Sequence, residues 1–285
     1  MSRRSEILTA VNQIDALPVV AAQMIPLLRC ADATISDIAQ KLSSDPGLTA
    51  NTLRLANCAL HATNQPVTDV GAAIKRLGTR RLMELVLASS IAPMTKKPVR
   101  GYDLDEGQLW RHSMLIAIGA EELAAVLDVT APSHTFTAGL LADIGKIVLG
   151  TFVAVDAQQI IARAFEMKIP FDQAEREVLG IDHAEVGAAL LSRWQLPSDL
   201  VDVARWHHQP ENCPQSSVVA LVHAADHIGA LCGVGAGTDG LNYLPCESTF
   251  EKLNISTQSI EQTLSRTVER LEEVESLFVA PIGSV

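Results

Sequence analysis

Apolar residues recur along this chain every three to four positions, the spacing that lines one face of an α-helix. No stretch shows the period-two alternation of a half-buried strand, and no internal repeat is visible. The pattern predicts helices over 5–15, 19–30 and 36–43, then one opening at Asp45-Pro46, one from Thr68 to Leu77 and one over 79–91. In the second half it predicts helices over 108–127, 136–150, 156–167, 171–179, 182–194, 198–208, 215–231 and 255–278. The breakers agree with these limits. Leu17-Pro18 stops the first helix, Thr34-Ile35-Ser36-Asp37 has the form of a capping box, and Pro46 sits in a first turn. Asn64-Gln65-Pro66 reads as a turn, and Gly78 as a helix stop. The stretch P-M-T-K-K-P-V-R-G at 93–101 reads as a linker, and 233–240, with four glycines, as a mobile loop. On the last helix Ile260, Leu264, Val268, Leu271, Val274 and Leu277 form the inner stripe. The expected fold is all-α. It has an N-terminal bundle of short helices over 1–92, a second helical lobe over 102–232, and a Gly-rich loop with a C-terminal amphipathic helix over 233–285.

Composition sharpens this picture. Among 285 residues 48% are hydrophobic but only 4% are aromatic, a mix that suits packed helices better than sheets. A net charge of −11 makes nucleic acid an unlikely default partner. Against that, 38–57 has the outline of a helix-turn-helix, with Lys75, Arg76, Arg80 and Arg81 near by. The five cysteines, Cys30, Cys58, Cys213, Cys232 and Cys246, are scattered and form no C-x-x-C pair. They point to neither a zinc ribbon nor a disulfide framework. The N-terminus carries no signal-peptide pattern, and no apolar run reaches the roughly eighteen residues of a membrane span. A reducing, cytoplasmic setting without membrane contact is the simplest expectation.

The stretch F-T-A-G-L-L-A-D-I-G-K-I-V-L-G at 136–150 carries the chemistry. Its one carboxylate, Asp143, falls in helical phase with Leu140, Ile144 and Ile147, and a carboxylate is rarely buried without a partner. Other polar residues lie on apolar helical faces in the same lobe: His112, His183, His207 or His208, and Asp226. Any one histidine of this kind is more often a hydrogen-bonded core residue than a ligand. Together, imidazole and carboxylate groups are the donor set of a divalent transition-metal site for Fe, Mn or Zn.

The order of motifs resembles the HDOD family, signalling relatives of the HD superfamily of metal-dependent phosphohydrolases. The N-terminal resemblance rests on Leu17-Pro18, I-A-Q-K-L-S-S-D-P-G-L-T at 38–49, L-R-L-A-N at 53–57, P-V-T-D-V-G-A-A-I-K-R-L-G at 66–78 and R-R-L at 80–82. The second lobe contributes W-R-H-S at 110–113, G-L-L-A-D-I-G-K at 139–146, D-H-A-E-V-G-A-A-L-L-S-R-W-Q-L-P at 182–197 and W-H-H at 206–208. The resemblance implies an all-helical fold with an HD-like second lobe. Where catalytic relatives have His-Asp, this chain has Ala142-Asp143. By the resemblance, Asp143 bridges two metal positions. His112 and Asp226 serve the first, which lacks a histidine at 142; His183 and His207 serve the second, with His208 near by. Lys146 resembles a phosphate-facing cation, against the alternative of a lysine whose stem packs while its head reaches solvent. HD-GYP enzymes, which hydrolyse cyclic di-GMP, follow their His-His pair with an acidic residue and a Gly-Tyr-Pro loop. Here the pair is followed by Q-P-E-N-C-P at 209–214, and the position four before His112 is Gln108. The resemblance therefore implies a signal-transduction module acting mainly through protein partners, with a reduced HD-type site. A metal-dependent phosphohydrolase with that reduced site, using Asp143 and Lys146, is the alternative.

Overall fold

The structure, a computed structural model, describes residues 2–15, 19–30, 32–57, 66–231, 233, 237–240 and 242–279. Leu17-Pro18, Asn64-Gln65, Cys58, Cys232 and Gly235 lie outside the described residues. Among those described the regular elements are helices, and the one β-bridge is isolated, between Val99 and Leu104. The chain divides into two units: 16–93 with 272–285, and 1–15 with 94–271.

In the smaller unit, α2 (Val19–Arg29), α3 (Ile35–Leu42), α4 (Pro46–Ala56) and most of α5 (Val70–Thr95) enclose a small core. Met24, Ile38, Leu42, Leu48, Ile74, Leu82 and Val86 fill it. The capping box is present, Thr34 accepting from the Asp37 amide while Asp37 accepts from the Thr34 amide. The cap of α5 is Asp69 rather than Thr68, through Ala72 N–H at 2.7 Å. Gly78, at φ 77° and ψ 164°, interrupts α5 where the sequence placed a stop. Asn57 clasps the backbone of Val67 with both ends of its amide, at 2.7 and 2.8 Å. The three arginines of the basic cluster have partners within the unit, while Lys75 is exposed. Arg76 donates to the Ala56 carbonyl at the end of α4, and Arg80 and Arg81 both pair with Glu84.

The larger unit comprises α1 (Arg3–Val11), α6 (Gln108–Val126), α7 (Thr135–Leu141), α8 (Lys146–Met167), α9 (Phe171–Leu179), α10 (His183–Arg193), α11 (Ser198–Trp206), α12 (Ser217–Leu231), α13 (Glu247–Lys252) and most of α14 (Thr257–Val279). The first helix, expected with the N-terminal lobe, belongs here. Arg4 grips Glu185 bidentately at 2.5 and 2.9 Å, and Arg193 donates to the carbonyls of Val11 and Ile14. The expected linker at 93–101 is not loose: α5 runs to Thr95, Val99 pairs with Leu104, and Tyr102 is buried. Helix α6 is apolar nearly all round and lies at the centre, packed on α7 and α12. Such a helix is buried rather than amphipathic.

Three further expectations need correction. The stretch 136–150 is not one helix; it breaks into α7 and α8 around a turn at 142–145. The span Thr135–Met167 is long and apolar enough by composition to cross a membrane, contrary to the sequence reading, but 72% of its apolar window is buried within the fold. On α14 the inward stripe is Ser259, Thr263, Thr267 and Leu271, while Val268 is exposed and Ile260 and Leu264 are half-buried. Small hydroxyl residues let α14 approach α6 closely, with Thr267 against Gly119 and Arg270 paired to Glu121 and Glu122.

Candidate metal centre

Five helices and the α7–α8 turn deliver the seven predicted residues to one place. His112 projects from the second turn of α6 and Asp226 from the inner face of α12. Asp143 sits in the α7–α8 turn, and Lys146 is the first residue of α8. His183 opens α10, and His207 and His208 follow the end of α11. Gly145 makes the convergence possible. A Cβ there would stand 2.0 Å from the His183 carbonyl oxygen and 2.5 Å from the Gly187 nitrogen. Without a side chain at 145, the Asp143 turn lies directly on the first turn of α10.

Asp143 is the hub, and it is fully buried. One of its oxygens lies 2.9 Å from Lys146 Nζ and 3.5 Å from both His183 Nε2 and His207 Nε2. The other lies 3.1 Å from His112 Nε2, which also stands 3.2 Å from Asp226. None of these approaches has hydrogen-bond geometry at Asp143, so both its oxygens, and His207 Nε2, are buried without a hydrogen bond. Burial pushes the Asp143 carboxyl up, but the Lys146 ammonium and the His112 and His207 rings outweigh it and hold it well below the usual range. Burial likewise opposes the charge on Lys146, yet Asp143 and Asp239 raise its pKa. Lys146 is therefore not a lysine with its head in solvent; it is a buried counter-ion.

The histidine tautomers are set from behind. His207 Nδ1 donates to the Ala204 carbonyl at 2.9 Å, which turns Nε2 toward the Asp143 carboxylate. His183 Nδ1 faces Glu175 Oε2 at 2.7 Å, and the same oxygen accepts from the His183 amide at 3.0 Å. Its Nε2 lies 2.8 Å from His208 Nε2. Burial lowers the pKa of His183, and Glu175 more than reverses this, raising it to about 9. His112, burial again opposing, is raised to about 10 by Asp143 and Asp226. His208 is pushed well below its ordinary value by burial and by the charges of His207 and His183.

Two groups of potential ligands share Asp143: Asp143, His183, His207 and His208, and His112, Asp143 and Asp226. Within each group the donor atoms lie within 4.8 Å of one another. Two ligands at about 2.0–2.1 Å from one ion stand at most about 4.2 Å apart, so a modest contraction would close either set on a cation. Nε2 atoms turned toward a carboxylate, with the far ring nitrogens bonded to a carbonyl and a carboxylate, are the usual setting of metal-binding histidines, and an ion would displace the proton on His183 Nε2. The residues present therefore fit a divalent ion, and their N/O donors without thiolate match Fe, Mn or Zn. The group of His112, Asp143 and Asp226 has one donor fewer, and position 142, where the resemblance implies a histidine in catalytic relatives, is a fully buried alanine.

The sequence reading missed four residues. Glu175 bridges His183 and Tyr102, whose hydroxyl donates to it at 2.5 Å. Asp239 pairs with Lys146 at 2.6 Å, and Tyr243 donates to Asp226 at 2.8 Å. His223 Nδ1 donates to the His207 carbonyl at 2.7 Å while Nε2 accepts from Cys246 N–H at 2.9 Å. Glu175 could have been found: it falls in phase with Phe171 and Leu179, the signal that singled out Asp143.

The sequence profile of the HDOD domain matches residues 14–210. An uncharacterised protein of Treponema pallidum is 25% identical over 270 residues; the match covers 92% of this chain and 50% of that protein, so the chain spans half its relative's length. Among solved structures, an HDOD domain protein of unknown function from Geobacter sulfurreducens is 28% identical with a TM-score of 0.71, covering 97% of this chain and 99% of the other. A protein of Shewanella amazonensis provisionally described as a phosphohydrolase is 27% identical with a TM-score of 0.64, covering 92% and 97%. The all-α architecture and the cluster around Asp143 agree with these likenesses, and the chain belongs to the HDOD family, a divergent branch of the HD superfamily.

Proposed function

We propose that this chain is a signal-transduction module that acts through protein partners in the cytoplasm, and that its reduced HD-type cluster holds a divalent transition metal without turning over a substrate. The ion would be held by Asp143, His183, His207 and His208. His112 and Asp226, lacking a third protein donor of their own at 142, would brace Asp143 from the other side. The observation that carries the reading is the fate of Lys146. In a phosphohydrolase this ammonium would face substrate; here it is 1% exposed and lies between Asp143 and Asp239. A cation already matched by two carboxylates has little attraction left for a phosphate. The tied-up arginines of the smaller unit and the net charge of −11 argue against a nucleic-acid role.

The alternative, a metal-dependent phosphohydrolase, is favoured by the two Asp143 oxygens that lack hydrogen bonds and by the likeness to the Shewanella protein. A divalent ion would supply Lewis-acid polarisation and a more acidic water. Asp143 would orient that ion, and Lys146 would have to leave Asp239 to meet phosphate. The deciding experiment loads the protein with Mn²⁺, Fe²⁺ or Zn²⁺ and follows bis(p-nitrophenyl) phosphate. The proposal expects no turnover above the Asp143→Ala control. Turnover that depends on metal and on Lys146 would replace it with the alternative.

A further inference from the structure

Residues 237–240 belong to the stretch expected to be a mobile loop, and 242–246 follow it. In the structure they are fastened across the cluster at several points. Gly237 lies against the Tyr102 backbone so closely that a Cβ would come 2.0 Å from its carbonyl oxygen. Asp239 reaches Lys146 at 2.6 Å. Asn242 donates to the carbonyls of Ala164 and Ile169, at 3.1 and 3.2 Å, where α8 ends. Tyr243 donates to Asp226 at 2.8 Å, and its ring meets the rings of His208 and His227 at centroid distances of 5.1 and 5.5 Å. Cys246 N–H is held by His223, whose other nitrogen holds the His207 carbonyl.

The attachments of Asp239, Tyr243 and Cys246 end on a candidate ligand or on a residue that touches one. Lys146 and Asp226 contact Asp143 and His112, His223 supports the residue that carries a third ligand, and Tyr243 lies against the fourth. Such outer contacts orient ligands, and their loss typically weakens metal binding by about 10–100-fold. An ion at Asp143 would repel Lys146 Nζ and leave Asp239 as its principal partner, so the Lys146–Asp239 contact would be favoured by occupancy. The Tyr243 hydroxyl would likewise fix Asp226 in the orientation that braces Asp143 through His112. Between these inward anchors the chain presents Leu244, which is 75% exposed.

We infer that 237–240 and 242–246 form a metal-responsive strap, held closed by occupancy of the buried centre and loosened when the ion is absent. This rests on the metal-holding part of the proposed function and extends it. Coupling of two equilibria is reciprocal, so whatever closes the strap tightens the metal, and whatever lifts the strap releases it. The device would give a buried ion a readout at the surface, on the stretch around Leu244.

The test measures hydrogen exchange in the strap peptides and Mn²⁺ affinity by calorimetry on the full chain. It compares wild type, Tyr243→Phe, Asp239→Asn and Asp143→Ala. The expected result is that Mn²⁺ slows strap exchange in wild type at least ~5-fold and leaves it unchanged in Asp143→Ala. Tyr243→Phe and Asp239→Asn should each weaken Mn²⁺ by roughly 10-fold and speed strap exchange in the metal-free protein. Two variants on separate anchors guard against one that fails to fold. Mn²⁺ binding with wild-type strap exchange unaltered would overturn the coupling while leaving the metal centre standing. Absence of Mn²⁺, Fe²⁺ and Zn²⁺ binding in wild type would overturn both.

Discussion

Replacing Glu175 with glutamine isolates one contact of the candidate centre. In the structure Glu175 is fully buried and accepts from the His183 amide, from His183 Nδ1 and from Tyr102. Glutamine keeps the shape but offers a single acceptor oxygen and no charge. Glu175 raises His183 from 6.5 to about 9. A raised pKa in the folded state means a stabilisation that is complete below the unfolded value of about 6.5 and lost as pH rises through about 9. That rise corresponds to on the order of 3 kcal/mol. Burial raises the Glu175 carboxyl itself, which consumes part of the gain. A net loss of about 1.5–3 kcal/mol near pH 6 is therefore expected, the range of a hydrogen bond to a charged group. By pH 9.5, with His183 mostly neutral in wild type and neutral in the variant, the difference should fall below about 1 kcal/mol. The assay is the melting temperature of chelator-stripped wild type and Glu175→Gln at pH 6 and pH 9.5. At about 2–4 °C per kcal/mol for a domain of this size, the two differences are resolvable. A difference that does not change with pH, or none at all, would refute the argument that Glu175 acts by holding a proton on His183.

Other perturbations follow from the same geometry. Gly145→Ala would put a methyl 2.0 Å from the His183 carbonyl oxygen; it should lower the melting temperature sharply and weaken Mn²⁺ binding together, as scanning calorimetry and titration would register. Ala142→His places an imidazole at a fully buried position and should cost about 1–3 kcal/mol by overpacking without adding a second ion; two metal equivalents at an unchanged melting temperature would show that the first ligand group is still intact. Thr263 Oγ1 is buried without a hydrogen bond, so the isosteric Thr263→Val should be neutral or stabilising by up to about 1 kcal/mol, checked by urea denaturation. Cyclic di-GMP should not be hydrolysed, since Ala142, Gln209 and the sequence through Pro214 depart from the pattern of the enzymes that cleave it; appearance of linear product that Asp143→Ala abolishes would contradict this.

Much of this molecule was legible as a pattern of faces. The all-α fold, most of the helices (though not α13 or the division between α7 and α8) and the capping box at Thr34 followed from periodicity and local hydrogen-bonding chemistry, which act within a few residues. His112, Asp143, His183, His207 or His208, and Asp226 were visible because each is polar where its helix is apolar; Lys146 came from the resemblance, and the structure brings all of them together. What escaped depends on long-range approach. The break at 142–145 carries no proline and only one glycine inside the turn, so an unbroken apolar rhythm hid it; packing on His183 and Gly187 sets it. Asp239 and Tyr243 lie in a Gly-rich stretch with no period, and their partners are distant in sequence. On α14 the leucine and valine stripe suggested burial by hydrophobicity. The buried positions are instead Ser259, Thr263 and Thr267, and at Thr267 the small side chain meets Gly119 of α6. Glu175 was within reach of the pattern, in phase with Phe171 and Leu179, although Asp172, Arg176 and Glu177 make α9 look like a solvated face.

The central claim is that Asp143, His183, His207 and His208 together hold an ion. Elemental analysis of freshly purified protein, from cultures supplied with iron, manganese or zinc, tests it most directly. The account predicts close to one transition-metal ion per chain in wild type, with His207→Ala and Asp143→Ala reducing it to background while both variants remain folded by circular dichroism. Wild-type protein that emerges metal-free from every culture, and takes up none on titration, would contradict it and leave the cluster as a buried network of charges closed on itself.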